Sequence, residues 1–258
     1  MKILAAASMF LLLGVCGFAQ SRSVWIEDYT ANEVVAAVGA GKTTLIYCGS
    51  ALHADGPAIT VGKHIYVGRQ VAQRVAEELG DALVLPVNPY APAGSQMAAT
   101  YAVAGGTVSL SDEVYALVTK DVVNSAILAV RKSEGLTGTG FKHVMIMSDH
   151  TQGQETLQRV AKDLDQEWKS KGVRVHYIDV ALIGKKLMSD YLSKRDVPAR
   201  RHTPIDDDSE LMRVDRARVR EDKIPTEDRI ASPELGKTFI DFKVNSAVEE
   251  IRKAIAEK

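Results

Sequence analysis

The sequence predicts an α/β fold, a mostly parallel sheet covered by helices on both faces. Two observations carry this. Short runs rich in apolar and β-branched residues have the length of buried strands: Leu45-Ile46-Tyr47-Cys48, Ala82-Leu83-Val84-Leu85, Lys142 to Met147 and Val173 to Ile178. Helical segments of roughly 10–20 residues alternate with them, the pattern of crossover connections between parallel strands.

The elements follow in order. Thr30 is an N-cap, and Glu33 three residues later completes a capping box for a helix through Val38 that Gly39 and Gly41 stop. A strand over 43–48 comes next. Ile65, Val67, Val71, Val75 and Leu79 share a helical face that ends at Gly80. The strand 82–85 is stopped by Pro86. Residues 86–106, rich in Pro, Gly, Ala and Ser, read as a long loop, and Thr107 to Leu110 as a short extended piece. Ser111 caps a helix to about Lys132, and a turn spans Gly135 to Gly140. The strand 142–147 ends at Ser148-Asp149-His150; an amphipathic helix covers 154–171, a strand 173–178 and a helix 181–194. The polar, charged stretch 195–234 reads as a surface excursion, and Val244 to Ile255 as the closing helix.

The chain has 258 residues. Met1-Lys2, an apolar run from Ile3 to Val15 and the small residues Gly17 and Ala19 form a secretory signal peptide pattern over 1–19, with Gln20 as the new N-terminus. The run is shorter than the about 20 residues of a membrane span. The expectation is an exported protein, periplasmic or secreted, with a single domain over 20–258. Of the two cysteines, Cys16 falls in the leader, so Cys48 stands alone and no intrachain disulfide forms. With 32 basic and 33 acidic residues and a formal charge of −1, no basic stripe points to nucleic acid and no polybasic patch to a membrane surface.

The most informative stretch runs from Gly49 to His64. It sets His53 and Asp55 around a Gly56-Pro57 turn directly after a buried strand. Open α/β sheets place their sites at such strand ends. In an extended segment His53 and Asp55 point the same way. His64 and His150 also lie just beyond strands, and His202 opens the acidic run Asp206-Asp207-Asp208. Imidazole and carboxylate donors with one open position are the pattern of catalytic zinc. Asp206, Asp207 and Asp208 are candidate acceptors for a ring N–H. His143 and His176 fall inside strands and carry no role. Gly41-Lys42-Thr43-Thr44 precedes a strand instead of following one, so it is no phosphate loop. No Gly-x-Ser-x-Gly elbow occurs.

These residues resemble the creatininase family, the creatinine amidohydrolases. That family carries Gly-Ser-x-Glu-x-His-Gly-Pro-x-Leu-Pro-x-x-Thr-Asp, to which the run Gly49 to His64 is similar through Gly56-Pro57. Gly106-Thr107-Val108-Ser109-Leu110 resembles the family's Gly-Thr-x-Ser-Leu. Ser148-Asp149-His150 resembles its Asn-Gly-His, and His202 to Ser209 its later His-Ala-Gly segment. The departures lie in the ligands. His53 stands for the family's Glu, Asp55 for its His and His64 for its Asp; His150 is kept, and Gln152 replaces a carboxylate. Ligand types are exchanged rather than lost, which reads as a rebuilt metal site.

The resemblance implies a three-layer α/β/α domain, a homo-oligomer, a small-molecule substrate and hydrolysis of a non-peptide C–N bond in a linear or cyclic amide. A neutral imidazole has one lone pair and cannot bridge two metals as a carboxylate does. The expectation is therefore one divalent metal per chain, zinc first, held by His53, His64, His150 and Asp55. Asp55 is the fourth ligand or the water-activating base. Asp207 joins it in the catalytic set, with His202 as proton donor to the leaving nitrogen. The alternative is a non-catalytic relative that binds a metal or small ligand.

Overall fold

The computed structural model describes residues 23–93, 105–131, 140–195, 197 and 205–257. The leader expected over 1–19, the turn from Gly135 and His202 fall outside them. Four strands form one sheet: β1 (Thr44–Gly49), β2 (Ala82–Val84), β3 (His143–Ser148) and β4 (Arg174–Tyr177), all parallel, in the order β2-β1-β3-β4. Thr44 opposes Ala82 on one side and His143 on the other, and His143 opposes Arg174.

Seven α-helices lie among the described residues: α1 (Ala31–Gly39), α2 (Lys63–Leu79), α3 (Asp112–Arg131), α4 (Gln154–Trp168), α5 (Ala181–Ser193), α6 (Ile205–Asp215) and α7 (Pro233–Ala256). Alternate residues of β1 face opposite layers. Leu45 and Tyr47 pack with Val123 and Ile127 of α3 and Leu157 and Leu164 of α4. Ile46 and Cys48 pack with Val67 and Val71 of α2 and Ile240 and Val244 of α7. The result is the expected three-layer α/β/α sandwich. A strand apolar on both sides needs both layers, which is why these runs show no polar alternation.

Local signals act as read. The Thr30 N–H donates to Glu33 Oε2 at 2.9 Å, and Gly80 ends α2 with a left-handed φ of 80°. The buried thiol of Cys48 is pushed up by desolvation. Trp168 is buried, its Nε1–H donating to Asn124 Oδ1 at 2.7 Å. No described helix is long and apolar enough to cross a membrane.

Two expectations need correction. Residues 195–234 are not all surface: α6 carries Asp208, Ser209, Glu210 and Leu211 fully buried. Charge in a sequence reads as solvent exposure, but Glu210 meets two buried ammonium groups and so enters the interior. The last helix begins at Pro233, eleven residues before the predicted Val244. Ser232 caps it, its Oγ accepting the Leu235 N–H at 3.2 Å, with proline at the first position.

The chain runs from β1 to β2 on one side of the sheet and returns to place β3 on the other. The gap between the carboxyl ends of β1 and β3 is therefore the topological switch point, where such sheets bind ligands. Gly49 and Ser148 face each other there. A Cβ on Gly49 would clash with the Tyr115 hydroxyl, so this close approach requires glycine.

Candidate metal centre

Three segments deliver side chains to the switch point. Residues 50–62 leave β1, double back and enter α2, and the His53 N–H donates to the Val61 carbonyl at 2.8 Å, clipping the loop shut. That loop carries His53 and Asp55, while His64 is the second residue of α2. His150 follows the end of β3 by two residues.

The three rings converge. One ligating nitrogen from each of His53, His64 and His150 lies within 4.8 Å of the others. Ring centroids are 5.1 Å apart for His53 and His150, 4.9 Å for His64 and His150, and 6.3 Å for His53 and His64. All three are buried, at 4%, 7% and 1% exposure for His53, His64 and His150. Asp55 bridges two of them: Oδ1 is 2.5 Å from His53 Nδ1, and Oδ2 stands 3.1 Å from His64 Nε2.

Behind His64 lies a buried charge cluster. Its Nδ1 pairs with Asp149 Oδ2 at 2.9 Å. Lys243 Nζ donates to Asp149 Oδ1 at 2.7 Å and to Glu210 Oε2 at 2.8 Å. Lys63 Nζ lies 3.2 Å from Glu210 and 3.8 Å from Asp149, and also donates to Asp207. Lys63, Asp149, Glu210 and Lys243 are each at most 3% exposed.

The fields are strong. Burial and the ammonium of Lys63 push the His64 ring down, but the hydrogen-bonded carboxylates Asp149 and Asp55 prevail and hold it up at about 9. Burial, then the neighbouring His64 and His53, push His150 down to about 2, so that it stays neutral. Burial opposes ionisation of Asp55, yet His53 and His64 hold its carboxyl below the usual range. Burial likewise opposes ionisation of Asp149, which Lys243, Lys63 and His64 hold low.

The donor set fits a divalent cation. Neutral imidazole is the ligating form, and both ring nitrogens of buried His150 lack a hydrogen-bond partner among the described residues. Burying such atoms unpaired is costly unless something else meets them. Leaving the histidines aside, Asp55, Asp149, Asp207 and Glu210 outweigh Lys63 and Lys243 by two formal charges. Ligands of a tetrahedral zinc stand roughly 3.3 Å apart. The 3.1 Å between Asp55 Oδ2 and His64 Nε2 is already close to that spacing.

The residues expected at the site fall into three groups. His53, His64 and His150 come together, with Asp55 against them. Asp207 does not orient a ring: its carboxylate is taken by Lys63. The carboxylate at His64 Nδ1 is instead Asp149, which follows β3 directly. His202 lies outside the described residues. Gln152 is half-buried and accepts the Thr151 hydroxyl hydrogen at 3.1 Å.

Asp149, Lys63, Glu210 and Lys243 carried no role in the sequence reading. For the two lysines the signal was a charge on an apolar stripe. Lys243 occupies the buried face of α7 with Phe239, Ile240, Val244 and Ala247, and Lys63 heads the buried face of α2.

Fold and site together define a three-layer α/β/α protein with a buried imidazole centre at its switch point. The sequence matches the profile of the creatininase family, described as creatinine amidohydrolase, over residues 27–258, and the chain belongs to that family. Membership places it among metal-dependent amidohydrolases. Comparison with curated proteins finds no match.

Solved structures agree on the fold. A creatinine amidohydrolase (creatininase) superposes with a TM-score of 0.73 at 17% identity, covering 92% of this chain and 100% of the other. A manganese creatininase gives 0.73 at 17%, covering 91% and 100%. A putative creatinine amidohydrolase from Bacteroides fragilis gives 0.60 at 12%, covering 83% and 90%. A further creatininase, a glutamate-to-glutamine variant, is of Zn–Zn type. A divalent metal is thus supported for the family's site.

Proposed function

We propose that this protein hydrolyses a non-peptide C–N bond of a small linear or cyclic amide, using one divalent cation per chain, zinc first among the candidates. The observation that carries the reading is the meeting of three buried imidazoles from distant segments. His53, His64 and His150 would hold the ion, with Asp55 as fourth ligand or adjacent acceptor. When bound, such an ion polarises a carbonyl and lowers the pKa of water to about 7.

The chain's own residues do the positioning. Asp55 holds His53 through Nδ1, which turns Nε2 of that ring to the centre. Asp149 does the same for His64. Asp55 Oδ1 is held by His53 and Oδ2 lies 3.1 Å from His64 Nε2, so both oxygens face the rings and not open space. These facts favour Asp55 as ligand or orienter over Asp55 as proton acceptor. His202 remains the proposed proton donor to the leaving nitrogen.

The exchange of a bridging carboxylate for His64 supports a single ion. The family relative of Zn–Zn type marks the contrast. We further propose export through the leader 1–19 and self-association of the mature chain. Protein purified without a histidine tag, from cultures supplied with zinc, should carry one metal per chain by elemental analysis. Two equivalents would refute the mononuclear site. A panel of lactams, hydantoins and formamides, assayed with and without zinc, should give metal-dependent turnover. Metal binding without turnover on any of them would favour the non-catalytic alternative.

A further inference from the structure

We infer that Asp149 is the positioning residue for His64, and that Lys243 and Lys63 are built into the fold as the fixed counter-ions that hold it. The inference rests on the metal-centre reading above and assigns residues that the ligand exchange does not itself explain.

The geometry divides Asp149 between two tasks. Oδ2 receives His64 Nδ1 at 2.9 Å, and Oδ1 receives Lys243 Nζ at 2.7 Å. An imidazole whose Nδ1–H is donated can ligate only through Nε2. The carboxylate therefore selects the tautomer and aims the ring.

A buried carboxylate rotates or takes up a proton unless its charge is met. Here Lys243 meets one oxygen directly and Lys63 stands 3.8 Å from the other, while Glu210 joins the two ammonium groups. Space is reserved for this arrangement. A Cβ on Gly68 would press within 3.3 Å of Asp149 Cβ, and one on Gly184 within 2.8 Å of Lys243 Cγ. Glycine at each place lets α2 and α5 close over the cluster.

A cluster serving stability alone would need no member turned toward a ligand ring. Asp149 and Glu210 are also met from within by ammonium groups. They are therefore not available to a second ion.

The test compares wild type with Asp149→Asn and Asp149→Ala. Zinc affinity is read by competition with a chromogenic chelator, and the visible spectrum is recorded after cobalt substitution. Asp149→Asn should stay folded by near-UV circular dichroism. It should lose about 10–100-fold in zinc affinity, the range for outer partners of metal ligands, and shift the cobalt bands. Asp149→Ala should lose more. Unchanged affinity and an unchanged cobalt spectrum in folded Asp149→Asn would overturn the assignment while leaving the metal centre standing. Failure of wild type to bind either ion would overturn both.

A measurement without substitution guards against misfolding. In zinc-loaded wild type, nitrogen NMR of labelled histidine should show His64 protonated at Nδ1 and ligated at Nε2. Ligation through Nδ1 would overturn the proposal.

Discussion

Two buried polar clusters sit back to back in this protein and share His64. On one side His53, His64 and His150 gather nitrogens within 4.8 Å of one another, and no lysine or arginine forms an ion pair with Asp55 beside them among the described residues. On the other, Asp149, Glu210 and Asp207 meet Lys63 and Lys243. One cluster could hold a cation from outside; the other supplies its cations itself. The difference teaches how charge is kept in this interior. Lysines meet the carboxylates of one cluster, while in the other the His150 ring is left without a hydrogen-bond partner among the described residues.

Removing His150 should separate the two clusters most sharply. Its ring makes no hydrogen bond among the described residues, so the metal-free fold should survive His150→Ala with only a packing cost. Metal binding should fall by more than the about 10–100-fold expected for an outer partner, and hydrolysis should vanish with it. Elemental analysis beside a thermal scan checks both. One retained equivalent of metal would break the contrast.

Lys243 probes the other side. Lys243→Met leaves Asp149 and Glu210 short of a partner in the interior, and breaking a buried pair costs about 3–5 kcal/mol. The expected outcome is a large fall in the urea midpoint. The double variant Lys243→Met with Glu210→Gln should recover part of it, because one uncompensated charge is removed as well. No loss in the single variant would mean that the cluster contributes nothing to stability.

Asp208 shows what happens where neither solution is in place. It is fully buried, and neither oxygen has a hydrogen-bond partner among the described residues. Burial, then the neighbouring Asp207, Asp228 and Asp206, push its carboxyl up to about 7. The folded state therefore holds a proton that the unfolded chain releases near pH 3.8. Between these values the group's contribution falls as pH rises, by at most about 1.4 kcal/mol per pH unit. Asp208→Asn should remove that slope: relative to wild type it gains between pH 4 and 7 and then levels off. Urea titrations across this range, compared by slope, provide the check. Parallel profiles would show that Asp208 does not titrate there.

Much of this was legible in the sequence, for physical reasons that differ by element. The runs at 44–49 and 143–148 could be read because a strand buried on both faces is apolar without interruption. Thr30, Glu33 and Gly80 could be read because caps act locally. The convergence of the three histidines followed from strand ends meeting on one edge of a sheet. The buried charges were not legible in the same way. Lys243 and Asp149 are 94 residues apart, and nothing local says that two such groups will pair inside. Helix α6 departs from its sequence expectation for that reason, since Asp206-Asp207-Asp208 and Glu210 look like a solvated face until the lysines of α2 and α7 are in place.

The weakest predicted effect sharpens the contrast from the far end. Lys186 and Asp190 form an ion pair at 2.8 Å one turn apart on α5, as close as the contacts of Lys243. Both side chains are exposed, at 74% and 52%. Water and salt screen such a pair, and holding two long side chains together offsets what attraction remains. Lys186→Ala should therefore leave the urea midpoint unchanged within error, while Lys243→Met moves it far. Equal effects from the two would mean that distance, not burial, sets the strength of ion pairs here, and the division between internally paired and cation-binding clusters would lose its physical basis.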